Sequence, residues 1–451
     1  MRRILAASFV LVSALAPFLW TEEASACGGC FVSQSESTQV TGHRMALSVS
    51  ATQTTLWDQI TYDGDPTEFA WVLPIKGQVE IGLSSDLLFQ VLEAETQVVV
   101  SSPTINCPPP NCPGDAAGFG ATGATSGSGG GVTVIAQEVV GPYETVQLQA
   151  SDPLALNTWL ESHGYNIPAD VEPVVSQYVT EGFGFLALRL VPGQGIDSMK
   201  PVRITSPGAS PTLPLRMVAA GTGARTPITL WVLAEGRYEP QNFGFETISA
   251  SELIWDWGTA SSNYAQRKQE IFDADGGSRW LMEAGEQKGM WLFDSILSTA
   301  EYDPAGSGYA DESGQGAVEA AAADVATLTA GINPSSLWVT RISADLSREA
   351  LGVDLRLQAS TTQQPIERYL QVQNTVGIPP ACPTFPPCDN DGSTFPGFGD
   401  INNWDPFGED ANDGSSGGCG FARTPARPSE LALIGLAGAA AVLARRRRAK
   451  R

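Results

Sequence analysis

Histidine is nearly absent from this sequence: His43 and His163 are the only two in 451 residues. That scarcity removes most histidine-based chemistry. Neither an HExxH pattern nor a zinc-type spacing of cysteine and histidine occurs, and a triad would have to join one of these two residues to a distant serine. His43 falls at an expected strand start and His163 at an expected helix end, so both read as solvated or capping residues. Basic residues are also scarce, 26 against 49 acidic, for a formal net charge of -23. Eight of the 26 follow Cys419, which leaves the rest of the chain more acidic still. Such a body repels phosphate backbones and anionic surfaces, which argues against nucleic acid as a partner.

What is present is concentrated first at the two ends. Arg2 and Arg3, the apolar stretch Ile4 to Trp20 and the small residues Ala24-Ser25-Ala26 read as a signal peptide over residues 1–26, with cleavage leaving Cys27 first. A cysteine there also raises lipidation, although Ala24 stands where a lipoprotein signal wants a Leu-like residue. Ordinary cleavage is the preferred reading. At the other end, residues 419–451 carry Cys419, a small polar spacer, an apolar run over 431–444 and then Arg445 to Arg448. The thirteen residues from Leu431 to Leu443 would reach as helix only about 20 Å, short of the roughly 30 Å hydrocarbon core, and the arginine cluster would keep that end on the cytoplasmic side.

Cysteine usage fits an exported chain. The candidates fall in three close pairs, Cys27/Cys30, Cys107/Cys112 and Cys382/Cys388, with Cys419 left over. Three local bridges are the simplest expectation, although six cysteines permit fifteen connectivities.

Between the ends, 42% apolar residues suffice for a core. Residues 38–82 read as an antiparallel meander, with Asp63-Gly64-Asp65-Pro66 as turn chemistry, followed by a helix that Ser84-Ser85-Asp86 would cap. Pro103 to Gly131 reads as a flexible, disulfide-tied insertion; its Gly118-Phe119-Gly120-Ala121-Thr122-Gly123 follows no strand and is no dinucleotide fingerprint. Helices are expected near 152–160, 171–179, 263–271 and 279–284. Strands are expected near 132–148, 183–191, 202–205, 213–219, 228–234 and 351–358. Strands and helices without regular alternation predict an α+β domain over 27–378, with antiparallel-rich sheets and several packed helices. Residues 379–418 then turn to Pro, Gly, Asp and Asn and read as a linker or stalk.

Two resemblances sharpen this. Gly418-Cys419-Gly420, followed by an apolar helix and an arginine cluster, resembles the myxobacterial C-terminal sorting tag. That resemblance implies cleavage near Cys419 and attachment to the cell surface, through a lipid on the cysteine; a plain C-terminal membrane helix is the alternative. Cys27-Gly28-Gly29, Phe69-Ala70-Trp71-Val72-Leu73-Pro74, Trp159-Leu160 with Gly164-Tyr165, Gly182-Phe183-Gly184-Phe185 and Asn263-Tyr264 resemble a bacterial domain of unknown function, number 2330, over about residues 27 to 375. That second resemblance implies an exported context and no particular activity.

No catalytic constellation emerges. Cys27-Gly28-Gly29-Cys30 has redox-motif spacing but lacks a helix N-terminus to activate a thiol, so a structural bridge is preferred. Asp389, Asp391 and Asp400 echo a calcium loop in which Asp400 stands where a bidentate Glu belongs, and Asp273-Ala274-Asp275-Gly276 echoes it more weakly. Calcium is therefore the one cofactor worth testing. Trp255 and Trp257 flank Asp256 and could turn two rings to one side of a strand for a glycan. The expectation is an exported, surface-anchored protein, a binding or structural module rather than an enzyme. Its partners would be the export and sorting machinery, the membrane through the C-terminal tag, and an extracellular protein or glycan. The alternative is a carboxylate-based exported enzyme.

Overall fold

Four strands of eleven residues, Gln39–Val49, Gln53–Asp63, Arg225–Glu235 and Leu337–Ser347, form the middle of the largest sheet among the described residues. The computed structural model describes residues 30–32, 39–63, 69–107, 139–148, 158, 161–162, 172–191, 199–219, 223–310 and 313–382. The four long strands lie within an eight-stranded sheet. Its order is Phe245–Glu246, Trp280–Gln287, Leu337–Ser347, Arg225–Glu235, Gln39–Val49, Gln53–Asp63, Val202–Pro207 and Glu80–Leu83. Neighbours are antiparallel, except that Arg225–Glu235 runs parallel to Gln39–Val49 and Phe245–Glu246 parallel to Trp280–Gln287. Both faces are covered. Ile228-Thr229-Leu230-Trp231-Val232-Leu233-Ala234 is therefore almost continuously apolar, as a strand buried on two sides must be.

One face carries Ala46, Trp57, Trp231, Leu233 and Val339 under the helices Asp86–Thr96, Asp294–Tyr302 and Ala317–Leu328. Ser85 caps the first of these, its side chain accepting from the Leu87 amide, and Leu88, Phe89 and Leu92 form its buried stripe. The opposite face carries Met45, Leu47, Leu56, Leu230 and Ile342. It is covered in part by a small sheet of Thr212–Leu213, Leu355–Ala359 and Tyr238–Pro240, with the one-turn helix Leu215–Val218 beside it.

A second, wholly antiparallel sheet has the order Cys30–Val32, Phe69–Ile75, Gly184–Leu190, Tyr143–Leu148 and Val139–Val140. Trp71, Leu186 and Leu188 pack toward Val202 and Ile204 of the large sheet. Val72, Phe185 and Ala187 pack against Val175 and Tyr178 of the helix Glu172–Thr180. Gly182, at φ +80°, turns the chain from that helix into the next strand, a backbone conformation that favours glycine. Among the described residues Pro74 has a ladder partner on one side, Phe185 of Gly184–Leu190.

The α+β class holds, with several mostly antiparallel sheets and packed helices. Four local readings change. The meander over 38–82 is a hairpin, Gln39–Val49 with Gln53–Asp63, after which Phe69–Ile75 leaves for the second sheet. The strand expected over 213–219 stops at Leu213, because Pro214 cannot extend a ladder, and Leu215–Val218 is helical. The helix expected at 279–284 is the strand Trp280–Gln287, a short apolar run whose period does not distinguish the two. Cys107 bonds Cys382 rather than Cys112, at a sequence separation of 275, so the close-pair expectation fails for both cysteines. Among the described residues no helix is long and apolar enough to cross a membrane.

Candidate functional site

A groove of about 670 Å³ opens where the two larger sheets and the small sheet meet, within the size range of small-molecule sites. Its floor is a product of strand register. Leu47 pairs with Leu56, and Leu56 with Ile204. Residues directly opposite on adjacent strands share a face, so the three make an apolar strip across three strands. Two residues along, the same face presents Thr54 paired with Ser206, and the strip becomes hydroxyl-bearing. Leu73, Pro74 and Ile75 of the second sheet form one wall; Thr212, Pro214, Val353 and Arg356 form another. Thr212 and Arg356 are cross-strand partners, which sets a hydroxyl beside a guanidinium.

Arg216 closes one end. Its Nη1 and Nη2 donate to Glu181 at 2.8 and 2.6 Å, and its Nε and Nη2 donate to Asp354 at 3.0 and 2.6 Å. The guanidinium also lies over the Tyr178 ring, 4.1 Å from its centroid, while the Tyr178 hydroxyl donates to Asp354 at 2.6 Å. One fork thus joins the end of the helix Glu172–Thr180, the turn Leu215–Val218 and the start of the strand Leu355–Ala359. Hydrogen bonds from Arg216 hold Glu181 below the usual carboxylate range. Burial, reinforced by Asp354, pushes the Tyr178 phenol up. Both carboxylates lining the groove are therefore engaged by one cation. Arg356 makes no ion pair among the described residues, and Lys76 sits with its Nζ 4.4 Å from the Phe183 ring centroid.

Two other charged clusters are each centred on a buried carboxylate. Asp324, 1% exposed, accepts from Trp57 Nε1, Ser84 Oγ, Arg203 Nη1 and Tyr309 Oη. Glu283 accepts from Lys268 at 2.5 Å and from Arg341 at 2.6 Å, and Arg341 reaches on to Glu93 at 2.7 Å. Burial opposes the charge on Glu283, but Lys268 and Arg341 outweigh it and hold the carboxyl low. Each buried carboxylate is satisfied by donors from separate elements, so both clusters brace the fold.

Of the residues singled out from sequence, Trp255 and Trp257 do come together, with ring centroids 6.2 Å apart at 68°. Edge-to-face and half-buried, the two rings pack on each other and do not share one plane. Cys107 and Cys382 are joined; Cys30 lies in a strand of the second sheet. Cys27, Cys112, Cys388, Cys419, Asp389, Asp391, Asp400 and His163 lie outside the described residues. Asp273 and Asp275 face arginines, at 3.1 Å from Arg225 and 2.6 Å from Arg279, and no cluster of three metal-ligating side chains occurs among the described residues. His43 overturns its expectation. It is 2% exposed within its strand, its Nδ1 3.3 Å from Asp58 Oδ1, neither solvated nor capping.

Sequence reasoning missed Arg216, Glu181, Asp354, Arg356 and Lys76. One signal was available for the first: Arg216 interrupts the apolar run Leu213-Pro214-Leu215-Arg216-Met217-Val218, and a charge in such a run must find buried partners.

The architecture is thus an α+β protein of several sheets, with a groove where the two larger ones meet a small one. The chain belongs to a family of uncharacterised proteins conserved in bacteria, domain of unknown function 2330, whose family model matches residues 21–286. That span ends earlier than the motifs had suggested, and Leu337–Ser347, at the middle of the large sheet, lies beyond it. No curated protein and no solved structure matched the chain.

Proposed function

We propose that this protein is an exported module, held at the cell surface through its C-terminal segment, that binds a small ligand in the interlayer groove. The observation that carries the binding reading is the neutralisation of Glu181 and Asp354 by Arg216. Carboxylate catalysis needs one protonated acid or one free base. Here Glu181 is held ionised and both groups are pinned by hydrogen bonds, while the apolar strip, the hydroxyls of Ser206 and Thr212 and the cations Arg356 and Lys76 remain for a ligand. Export is supported by the signal-like residues 1–26, by the order of parts after Cys419, and by a Cys107–Cys382 disulfide of the kind that persists in oxidising compartments.

Each half has its own test. Mass spectrometry of native protein from the cell surface should find a chain that begins at Cys27 and ends near Cys419; an intact Arg451 in that material would sink the sorting reading and leave a membrane helix. Titration with the neutral dye Nile red should give saturable fluorescence that Ser206→Trp, which fills the groove, removes without changing the circular dichroism. A signal indifferent to that substitution would place binding elsewhere.

A further inference from the structure

Resting on the groove as the ligand site, we propose that its ligand is an amphipathic monocarboxylate, an apolar chain ending in one carboxylate. The apolar portion of such a ligand matches the strip Leu47, Leu56 and Ile204, which crosses three strands in register and so offers a track longer than a single contact. The head group matches the charges left over. The described arginines are mostly engaged: Arg44, Arg189, Arg203, Arg225, Arg341 and Arg368 each face a carboxylate. Arg356 has none among the described residues, and neither has Lys76, whose Nζ lies over the Phe183 ring with Glu181 near enough to feel its charge. In a chain of net charge -23, two cations without ion pairs beside one groove are an exception with a direction: they favour an anion there.

The same charges limit what the anion can be. The groove holds Arg216, Arg356 and Lys76 against Glu181 and Asp354, a surplus of one positive charge. A monoanion balances it. A dianionic phosphate would meet the two carboxylates as well as the cations and gain less. A guanidinium fork suits a carboxylate in two-point contact, and Thr212, across the ladder from Arg356, supplies a hydroxyl donor beside it.

The test is calorimetry on the mature chain with three probes of equal chain length: octanoate, octanol and octyltrimethylammonium. Octanoate should bind about tenfold or more tightly than octanol, the ordinary worth of a charge-assisted hydrogen bond, and the cation should bind weakest. Arg356→Gln should erase the octanoate preference while octanol binding persists, and Lys76→Gln should reduce it in part; both positions are exposed, so the fold is not at risk. Equal affinity for octanoate and octanol, or a preference untouched by Arg356→Gln, overturns the carboxylate assignment and leaves the groove a binding site. Tighter binding of the cation overturns it also. No binding of any probe, together with Nile red fluorescence that Ser206→Trp does not change, removes the groove reading itself.

Discussion

Arg203 donates from Nη1 to Oδ1 of Asp324 over 3.0 Å, fastening the strand Val202–Pro207 to the helix Ala317–Leu328. Arg203 and Trp57 are cross-strand partners, and the indole of Trp57 donates to the same oxygen at 2.7 Å. The hydroxyls of Ser84 and Tyr309 take the other oxygen. Four donors from four segments converge on one buried carboxylate, which makes it a polar junction between helices and sheet.

Removing one member of such a junction leaves the others desolvated and unpaired. Asp324→Asn keeps the shape but replaces two accepting lone pairs with donors facing donors. A loss of about 3–5 kcal/mol is expected, read as a lower urea midpoint at unchanged slope. An unchanged midpoint would show that Asp324 is not the anchor.

The Cys107–Cys382 bond closes a loop with a sequence separation of 275, with the strands Gln39–Val49, Gln53–Asp63 and Phe69–Ile75 and the helix Asp86–Thr96 outside it. In the chain-entropy treatment a loop of that length restricts the unfolded chain by roughly 5 kcal/mol, far more than a local bridge. Peptide mapping without reduction should recover a fragment pair containing Cys107 and Cys382, and Cys382→Ser should lower the thermal midpoint. Recovery of Cys107 with Cys112 instead would restore the local pattern that the spacing suggests.

Acid should act through Glu283. Its carboxyl lies below the ordinary glutamate value of 4.5 in the folded protein, held there by Lys268 and Arg341 against the opposing effect of burial. A group depressed on folding contributes stability above its unfolded value and loses it as pH falls through the folded one. Thermal midpoints should therefore fall as the pH drops below about 4.5, and Glu283→Gln should lower the neutral-pH midpoint while flattening that descent. A descent of unchanged steepness in the variant would assign the acid transition to other carboxylates.

At the groove, Arg216→Lys preserves the charge but not the fork. A single ammonium cannot reproduce two-point contact with both Glu181 and Asp354, and a loss of about 2 kcal/mol is expected. Most of it should come from Asp354, because Glu181 is 39% exposed and partly screened by solvent. Titration of Glu181 by NMR should show its pKa rising toward the ordinary value; a pKa that stays depressed would mean that Lys76 or the helix end, and not the Arg216 hydrogen bonds, holds it low.

Local signals were legible where the physics is local. Ser85 caps its helix as the spacing suggests, Gly182 turns the chain after Glu172–Thr180, and Gly184–Leu190 is the buried strand its apolar run predicts. Leu337–Ser347 escaped notice because Thr340, Arg341, Ser343 and Asp345 break its apolar pattern. Arg341 is tolerated there because Glu93 and Glu283 reach it from other elements. The groove escaped for a related reason: its lining comes from stretches scattered between Leu47 and Arg356, and the motifs that contribute Leu73, Pro74 and Phe183 are packing and turn residues with no chemistry of their own.

By itself, then, the sequence determined the α+β class, the position of several helices and turns, and the near absence of histidine chemistry. Caps, turns and apolar periods act through backbone sterics and neighbours a few residues away, so one stretch of chain contains all that decides them. Which cysteine meets which, which arginine neutralises which acid, and which cations are left without a partner were decided only by tertiary structure. Those pairings depend on strand register and helix placement across as many as 275 residues, and no local stretch of sequence encodes them.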